Sequence, residues 1–241
     1  MNGFQQSRCL VLGGGGFIGT HLCLRLAGQV RSLRVFGHQS TPPAPLAGLD
    51  WFSGDIADPA SLSAAIAGFD IVFHLVNATT PATANRDKIG DVRANVLSTL
   101  SVLETCLEQG VKRVIFASSG GTIYGPTDVI PTNEDAACWP ITAYGVSKLA
   151  IERYLHLYEY MHELDYRVLR ISNPYGPHQR VTGQQGVIAA FIQRILAGRP
   201  IEVWGDGSVQ RDFLYVGDVA EAFQRAAEHA GPERIFNIGS G

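Results

Sequence analysis

Tyr144 and Lys148 stand four residues apart in Tyr-Gly-Val-Ser-Lys, a spacing that puts both on one face of a helix. A free tyrosine has a pKa near 10, roughly three units too high for a useful base at neutral pH. A neighbouring ammonium favours the phenolate and draws such a pair toward general acid–base work. The same spacing also occurs by chance on solvated helix faces, so its meaning depends on what surrounds it.

A glycine cluster supplies that setting. Leu10-Val11-Leu12-Gly13-Gly14-Gly15-Gly16-Phe17-Ile18-Gly19 lies between an apolar strand pattern and a helical one. It fits two phases: Gly13, Gly16 and Gly19 spaced by three, or Gly14, Gly16 and Gly19 as GxGxxG. In either phase one glycine permits the tight turn and one lets backbone N–H groups approach a pyrophosphate. The last lets the helix lie close to the strand. The helix N-terminus adds positive potential. The expected ligand is a dinucleotide, whose oxidised nicotinamide ring would also favour a Tyr144 phenolate, while Lys148 could hold the cofactor ribose. The next strand ends Val35-Phe36-Gly37-His38-Gln39, with neither the acid that marks NAD nor the arginine that marks NADP. His38 or Gln39 could reach the ribose or simply face solvent, which leaves the choice between the two cofactors open.

The elements that must carry these residues alternate, short apolar strands with amphipathic helices, as in a parallel sheet with crossover helices. Strands are expected at 9–12, 33–36, around 51–52, and at 71–75, 114–118 and 168–171. Helices are expected at 17–26, from Asp58-Pro59 to Gly68, at 89–109 ending on Gly110, and around Tyr144. After Asn173 the texture turns to Gly, Gln and Pro. Helices at 187–196 and 219–229 and strands at 201–204 and 235–238 follow. The fold class is therefore α/β: a Rossmann-type doubly wound parallel sheet over 1–172, then a smaller, incomplete substrate-binding part over 173–241. The stretch 219–241 is expected partly to rejoin the sheet.

Composition narrows the functional classes. Of 241 residues, 46% are hydrophobic and 17% charged, enough for a substantial core, and the net charge of −3 gives no reason to expect nucleic acid or an anionic membrane as partner. No segment reads as a signal peptide or a membrane span. Cys9, Cys23, Cys106 and Cys138 lack metal-ligand spacing and read as buried free thiols, so no metal site is expected and a cytoplasmic enzyme is the natural setting.

Taken together, these motifs resemble an extended short-chain dehydrogenase/reductase of the NAD-dependent epimerase/dehydratase family, and especially the nucleotide-sugar 4-epimerases. The resemblance runs through the GxxGxxG loop at Gly13 to Gly19 and through Gly54-Asp55-Ile56. It continues in His74-Leu75, Ser118-Ser119-Gly120-Gly121-Thr122-Ile123-Tyr124-Gly125 and Tyr144 to Lys148. Asn173-Pro174-Tyr175-Gly176-Pro177 and Gly205-Asp206-Gly207 through Arg211-Asp212-Phe213 complete the set. It implies cofactor contacts at Gly13, Gly16, Phe17, Ile18, Gly19, Asp55, Ile56, Leu75, Ser118, Tyr144, Lys148 and Pro174. It implies substrate contacts at Thr122, Tyr144, Asn173 and Arg211, with Tyr144, Lys148 and Thr122 catalytic. The implied reaction is the interconversion of UDP-glucose-type and UDP-galactose-type sugars by transient hydride transfer to bound NAD through a 4-keto intermediate, in a homodimer. Arg211 suits a diphosphate through its planar fork, although it could instead pair with Asp206 or Asp212.

Two departures qualify the resemblance. The family's usual Ser or Thr is replaced by Gly120, so Thr122, or else Ser119, would have to supply the hydroxyl. The chain also stops at Phe236-Asn237-Ile238-Gly239-Ser240-Gly241, where relatives continue. This leaves either a fragment or a cleft completed in another way. The rival readings are an NADP-dependent nucleotide-sugar or carbonyl reductase, a 4,6-dehydratase and a non-catalytic dinucleotide sensor. The dehydratase is disfavoured because Gly121 and Thr122 stand where its Asp-Glu pair would be. The sensor is disfavoured because Tyr144 and Lys148 are both present.

Overall fold

The computed structural model describes residues 3–127, 129–179, 186–203 and 205–241. The first strand, β1 (Arg8–Leu12), is buried along both faces after its first residue and leads through the glycines into α1 (Phe17–Leu26). β2 (Ser32–Gly37) and β3 (Asp50–Ser53) follow. Asp58 accepts from the N–H groups of Ala60 and Ser61 to start α2 (Pro59–Ile66), and β4 (Ile71–His74) comes next. Short helices α3 (Pro81–Arg86) and α4 (Lys88–Asp91) precede a π-helical turn over Val92–Leu97. The rod continues as α5 (Ser98–Glu108). The helix expected over 89–109 is thus a rod with a wide turn inside it, and Gly110 ends it with φ +69°, a left-handed conformation that glycine adopts without strain.

β5 (Arg113–Ser119) runs straight into the single turn α6 (Gly120–Ile123). The long α7 (Ala143–His162) is capped by the Thr142 hydroxyl, which accepts from the Gly145 N–H. β6 (Asp165–Ile171), β7 (Asn173–Tyr175), α8 (Val187–Leu196), β8 (Phe213–Tyr215), α9 (Val216–Glu228) and β9 (Ile235–Ile238) follow, and two 3-10 turns lie at Gly3–Gln6 and Ala44–Leu46.

Seven strands form one sheet in the order β3-β2-β1-β4-β5-β6-β9, every pair parallel. This is the doubly wound Rossmann arrangement that the alternation of patterns predicts, with β9 added beside β6 as a seventh strand. Alternation along each strand sends side chains to two cores. Leu10, Leu12, Val114 and Phe116 pack with α2, α5 and α7, whereas Cys9, Val11 and Ile115 pack with α1 and α9. A parallel sheet covered on both faces needs this double supply of apolar residues. Chain order reverses between β1 and β4, and the C-terminal ends of those strands form the crevice where such folds take ligands.

One expectation fails after Asn173, and one feature was not expected. Residues 201–203 form no strand, and Trp204, the last residue of that expected strand, lies outside the described residues. Ile201 and Val203 are exposed there, and a strand without a partner edge is not stable. Conversely, β7 and β8 pair in parallel as a separate two-stranded ladder; at three residues each they carry no readable alternation.

Candidate active site

The glycine turn is held by its own backbone. Gly13 and Gly14 both donate to the Phe36 carbonyl, and Gly16 donates to that of Gly13. Gly13 has φ +79°, and a Cβ placed there would lie 3.0 Å from the Val76 nitrogen. At Gly19 a Cβ would meet the Gly13 carbonyl oxygen at 2.4 Å and the Gly14 Cα at 2.7 Å. The last glycine is therefore required for α1 to approach the turn. Gly16, the N-cap of α1, contributes no side-chain acceptor, so the first-turn amides of Phe17, Ile18 and Gly19 face outward as an anion cradle. These features fit a dinucleotide pyrophosphate.

Around the cradle the strand ends line up as the sequence motifs require. The Leu75 N–H donates to the Leu12 carbonyl, which puts the ends of β1 and β4 side by side. Asp55 is exposed and accepts from the Ala57 N–H, while Ile56 packs partly against the core. No carboxylate stands at the end of β2.

Tyr144 and Lys148 project from the first turns of α7. The Lys148 ammonium is buried, donates to the Ala117 carbonyl at 2.8 Å, and lies 4.6 Å from the Phe116 ring centroid and 5.6 Å from that of Tyr144. Desolvation pulls its pKa down to about 8, against the upward pull of Asp91 and Glu152. Tyr144 moves opposite to the sequence expectation. Desolvation first, and the Asp91 charge second, push its phenol up to about 12.

Thr122 lies on α6, the turn that packs against the start of α7. Its Oγ1 is buried and has no hydrogen-bond partner among the described residues, an arrangement that costs free energy unless a ligand completes it. α7 presses against α6 here: a Cβ on Gly145 would lie 2.4 Å from the Thr122 carbonyl oxygen. Ser118 is different, since its hydroxyl is buried and donates to Glu152 at 2.6 Å. Gly120 lies against β6, where a Cβ would come 3.0 Å from the Arg170 carbonyl oxygen.

The segments after β6 meet through their backbones. The Asn173 N–H and its Nδ2 both donate to the Asp212 carbonyl, at 3.1 and 3.0 Å, and Pro174 sits in β7 opposite Leu214. This places Arg211 close in the chain to the Asn173 partner. Its guanidinium is exposed and donates to the Gln210 carbonyl, and among the described residues it pairs with neither Asp206 nor Asp212.

Several groups shape this site through contacts that no sequence spacing predicts. Asp91 is buried and accepts from Thr79, Asn95 and Ser147, the last of these next to Lys148 in the chain. Glu152 pairs with Arg170, both buried, and Arg170 donates on to Tyr124, whose hydroxyl meets Asn237. His74 is buried, and its Nε2 lies 2.9 Å from the Thr99 hydroxyl. Burial, with the Lys148 charge second, lowers its pKa to about 3. Among the described residues no cluster of His, Cys, Asp or Glu could hold a metal, and no helix is long and apolar enough to cross a membrane.

A doubly wound sheet with a glycine cradle at its switch point, and a helix beside it that carries a half-buried Tyr144 and a buried Lys148, defines a dinucleotide-dependent enzyme. The NAD dependent epimerase/dehydratase family model matches residues 9–239, and the chain belongs to that family. It is 35% identical over 243 residues to the UDP-glucose 4-epimerase of Mycolicibacterium smegmatis, covering 97% of this chain and 77% of that one. It is 34% identical to the dTDP-4-dehydro-6-deoxyglucose reductase of Escherichia coli, covering 98% and 78%. The crystal structure of Thermus thermophilus UDP-glucose 4-epimerase in complex with NAD superposes with a TM-score of 0.88 at 34% identity, covering 97% and 78%.

Proposed function

We propose that this chain is a nucleotide-sugar 4-epimerase of the UDP-glucose/UDP-galactose type that works with NAD. The single observation that carries the reading is the Thr122 hydroxyl, buried and without a hydrogen-bond partner among the described residues, on the turn against which the Tyr144–Lys148 helix packs. The similarity to UDP-glucose 4-epimerases along nearly the whole chain supports it.

In this reading Tyr144 takes the proton from the sugar hydroxyl and Thr122 donates to the same oxygen. Thr122 is preferred to Ser119 because its hydroxyl is already desolvated and waiting for a partner. Lys148, anchored by the Ala117 carbonyl, keeps a second donor direction for the cofactor ribose. Gly13, Gly16, Phe17, Ile18 and Gly19 hold the pyrophosphate, and Asp55 and Ile56 border the adenine. Leu75, Ser118 and Pro174 line the nicotinamide end, Ser118 through its backbone because its hydroxyl belongs to Glu152. Asn173 and Arg211 hold the substrate diphosphate; the exposed guanidinium of Arg211, paired with no carboxylate among the described residues, suits it to that task. Bound NAD would accept hydride from the sugar carbon, return it to the other face, and lend the positive charge that Tyr144 needs to ionise well below 12. Residues 1–172 then form the cofactor domain and 173–241 carry the substrate-binding segments, with 219–241 partly rejoining the sheet through β9.

The exposed apolar side chains Ile89, Val92, Leu97, Val146, Leu157 and Met161 lie on the rod from α4 to α5 and on α7, a helix pair that would close a homodimer in the cytoplasm.

A reductase is the second reading, favoured by the 34% identity to a nucleotide-sugar reductase. Incubation with UDP-glucose and NAD, with products separated by chromatography and absorbance followed at the NADH band, separates the two. UDP-galactose without net NADH change is expected. In a parallel incubation with NADPH and a nucleotide 4-keto sugar, stoichiometric oxidation of NADPH as the keto group is reduced to an alcohol, with no epimer formed from UDP-glucose, would establish the reductase instead.

A further inference from the structure

Where a Rossmann fold meets the adenosine ribose, at the end of β2 beside the glycine turn, this chain places an indole. Trp51 lies on β3 in register with Val35, on the sheet face that packs against α1. Its ring reaches across the end of β2. A Cβ on Gly37 would lie 2.3 Å from the Trp51 Cη2 and 2.7 Å from its Cζ2, and a Cβ on Gly15 would lie 2.9 Å from the same Cη2. The ring is fixed there by its own N–H, which donates to the Gln39 carbonyl at 3.1 Å. Gly15 and Gly37 are therefore glycines because Trp51 covers them.

The charges of the region point the same way. From Val35 to Leu49 the sequence holds no Asp, Glu, Lys or Arg. The one cation of β2, Arg34, faces the other side of the sheet, where it pairs with Asp50 at 2.9 Å and lies 4.9 Å from the Phe69 ring centroid. The ribose end of the cradle is thus walled by a neutral indole whose only donor is already used.

We propose that Trp51 is the residue that selects NAD over NADP, by shape and desolvation instead of by a carboxylate. A 2′-phosphate brings nearly two negative charges, and against the indole it would lose water without gaining a cation. A 2′-hydroxyl loses far less. The proposal rests on the dinucleotide reading above and names a specificity determinant that reading leaves open.

The test uses the whole chain, equilibrated with an equimolar mixture of NAD and NADP, separated from free nucleotide and denatured, with released nucleotides quantified by chromatography. The wild type is expected to hold NAD over NADP by at least about tenfold. Trp51→Ala should shrink that ratio by roughly fivefold or more, and Trp51→Leu, which keeps the sheet edge apolar if Ala does not fold, by about half as much on a logarithmic scale. Gly37→Asp alone should lower the melting temperature and gain no NAD, because its Cβ enters the indole. In the Trp51→Ala background the same aspartate should raise NAD retention. A wild type that holds both nucleotides equally, or a Trp51 variant with an unchanged ratio, would overturn the proposal. A wild type that retains neither would instead overturn the dinucleotide reading beneath it.

Discussion

The β1–α1 turn and the β5–α7 side of the site face each other across the switch point, and they are made of opposite materials. The turn is backbone and absence: four glycines, no side-chain cap on α1, and an indole closing one end. The other side is buried charge. Lys148, Asp91, Glu152 and Arg170 are each no more than 4% exposed; Glu152 and Arg170 pair with each other, Ser118 donates to Glu152, Ser147 to Asp91, and Lys148 to the Ala117 carbonyl. The difference follows from the two tasks. A pyrophosphate already carries its charge and needs donors that can come close, which glycine amides provide. A proton needs an acceptor whose affinity is tuned, and tuning requires fixed charges in a place that water does not reach.

The comparison breaks most visibly at Tyr144. Tyr144→Phe is expected to lower turnover by about a thousandfold or more while leaving nucleotide retention within about twofold of wild type. Steady-state rates and the nucleotide-release measurement check both halves; loss of retention would mean that the two sides are not separable. Gly19→Ala should do the converse. Its Cβ would meet the Gly13 carbonyl at 2.4 Å, so the helix must back away. About 1–3 kcal/mol of stability is expected to be lost to overpacking, together with most nucleotide binding, as denaturant melts and retention would show.

A smaller effect sharpens the account of the buried charge. Asp91 raises the pKa of both Tyr144 and Lys148, so Asp91→Asn should move both limbs of the pH–rate profile to lower pH. A rate that falls without any shift of the limbs would assign Asp91 a packing role alone. The least change is expected at His74. Its folded pKa, about 3, lies below the ordinary 6.5, so the unfolded chain binds the extra proton between those values. The stability this neutral imidazole contributes is complete above about pH 6.5 and is lost as pH falls toward 3. His74→Gln keeps a partner for Thr99 and should flatten that acid limb, raising the melting temperature at pH 5 by a few degrees (about 2–4 °C) relative to its change at pH 7.

How far the sequence speaks follows the same division. Local geometry is legible: the Gly13–Gly19 spacing, the Asp58 cap of α2, Gly110 at the end of the long rod, and the four-residue step from Tyr144 to Lys148 all depend on neighbours in the chain. The sheet order follows from the alternation of patterns, and β9 joins its far edge beside β6. What sequence could not convey is pairing over distance. Ser147 meets Asp91 across 56 positions and Asn237 meets Tyr124 across 113, and no spacing encodes either. The sign of the Tyr144 shift was lost for the same reason, because it depends on desolvation and on Asp91, neither of which is visible from the Tyr-Lys step. The β7–β8 ladder was missed because it is three residues long, and the strand expected at 201–204 was read from apolar residues of which Ile201 and Val203 are exposed, with no strand formed over 201–203.

The central claim is that Tyr144 and its neighbours serve a transfer in which hydride leaves the sugar and returns to the same carbon. UDP-galactose carrying deuterium at C4 tests it directly, with the product isolated from ordinary water and examined by mass spectrometry and NMR. The account predicts UDP-glucose with deuterium retained at C4 and no accumulation of NADH. Deuterium lost to water, or found on a released nucleotide, would contradict it.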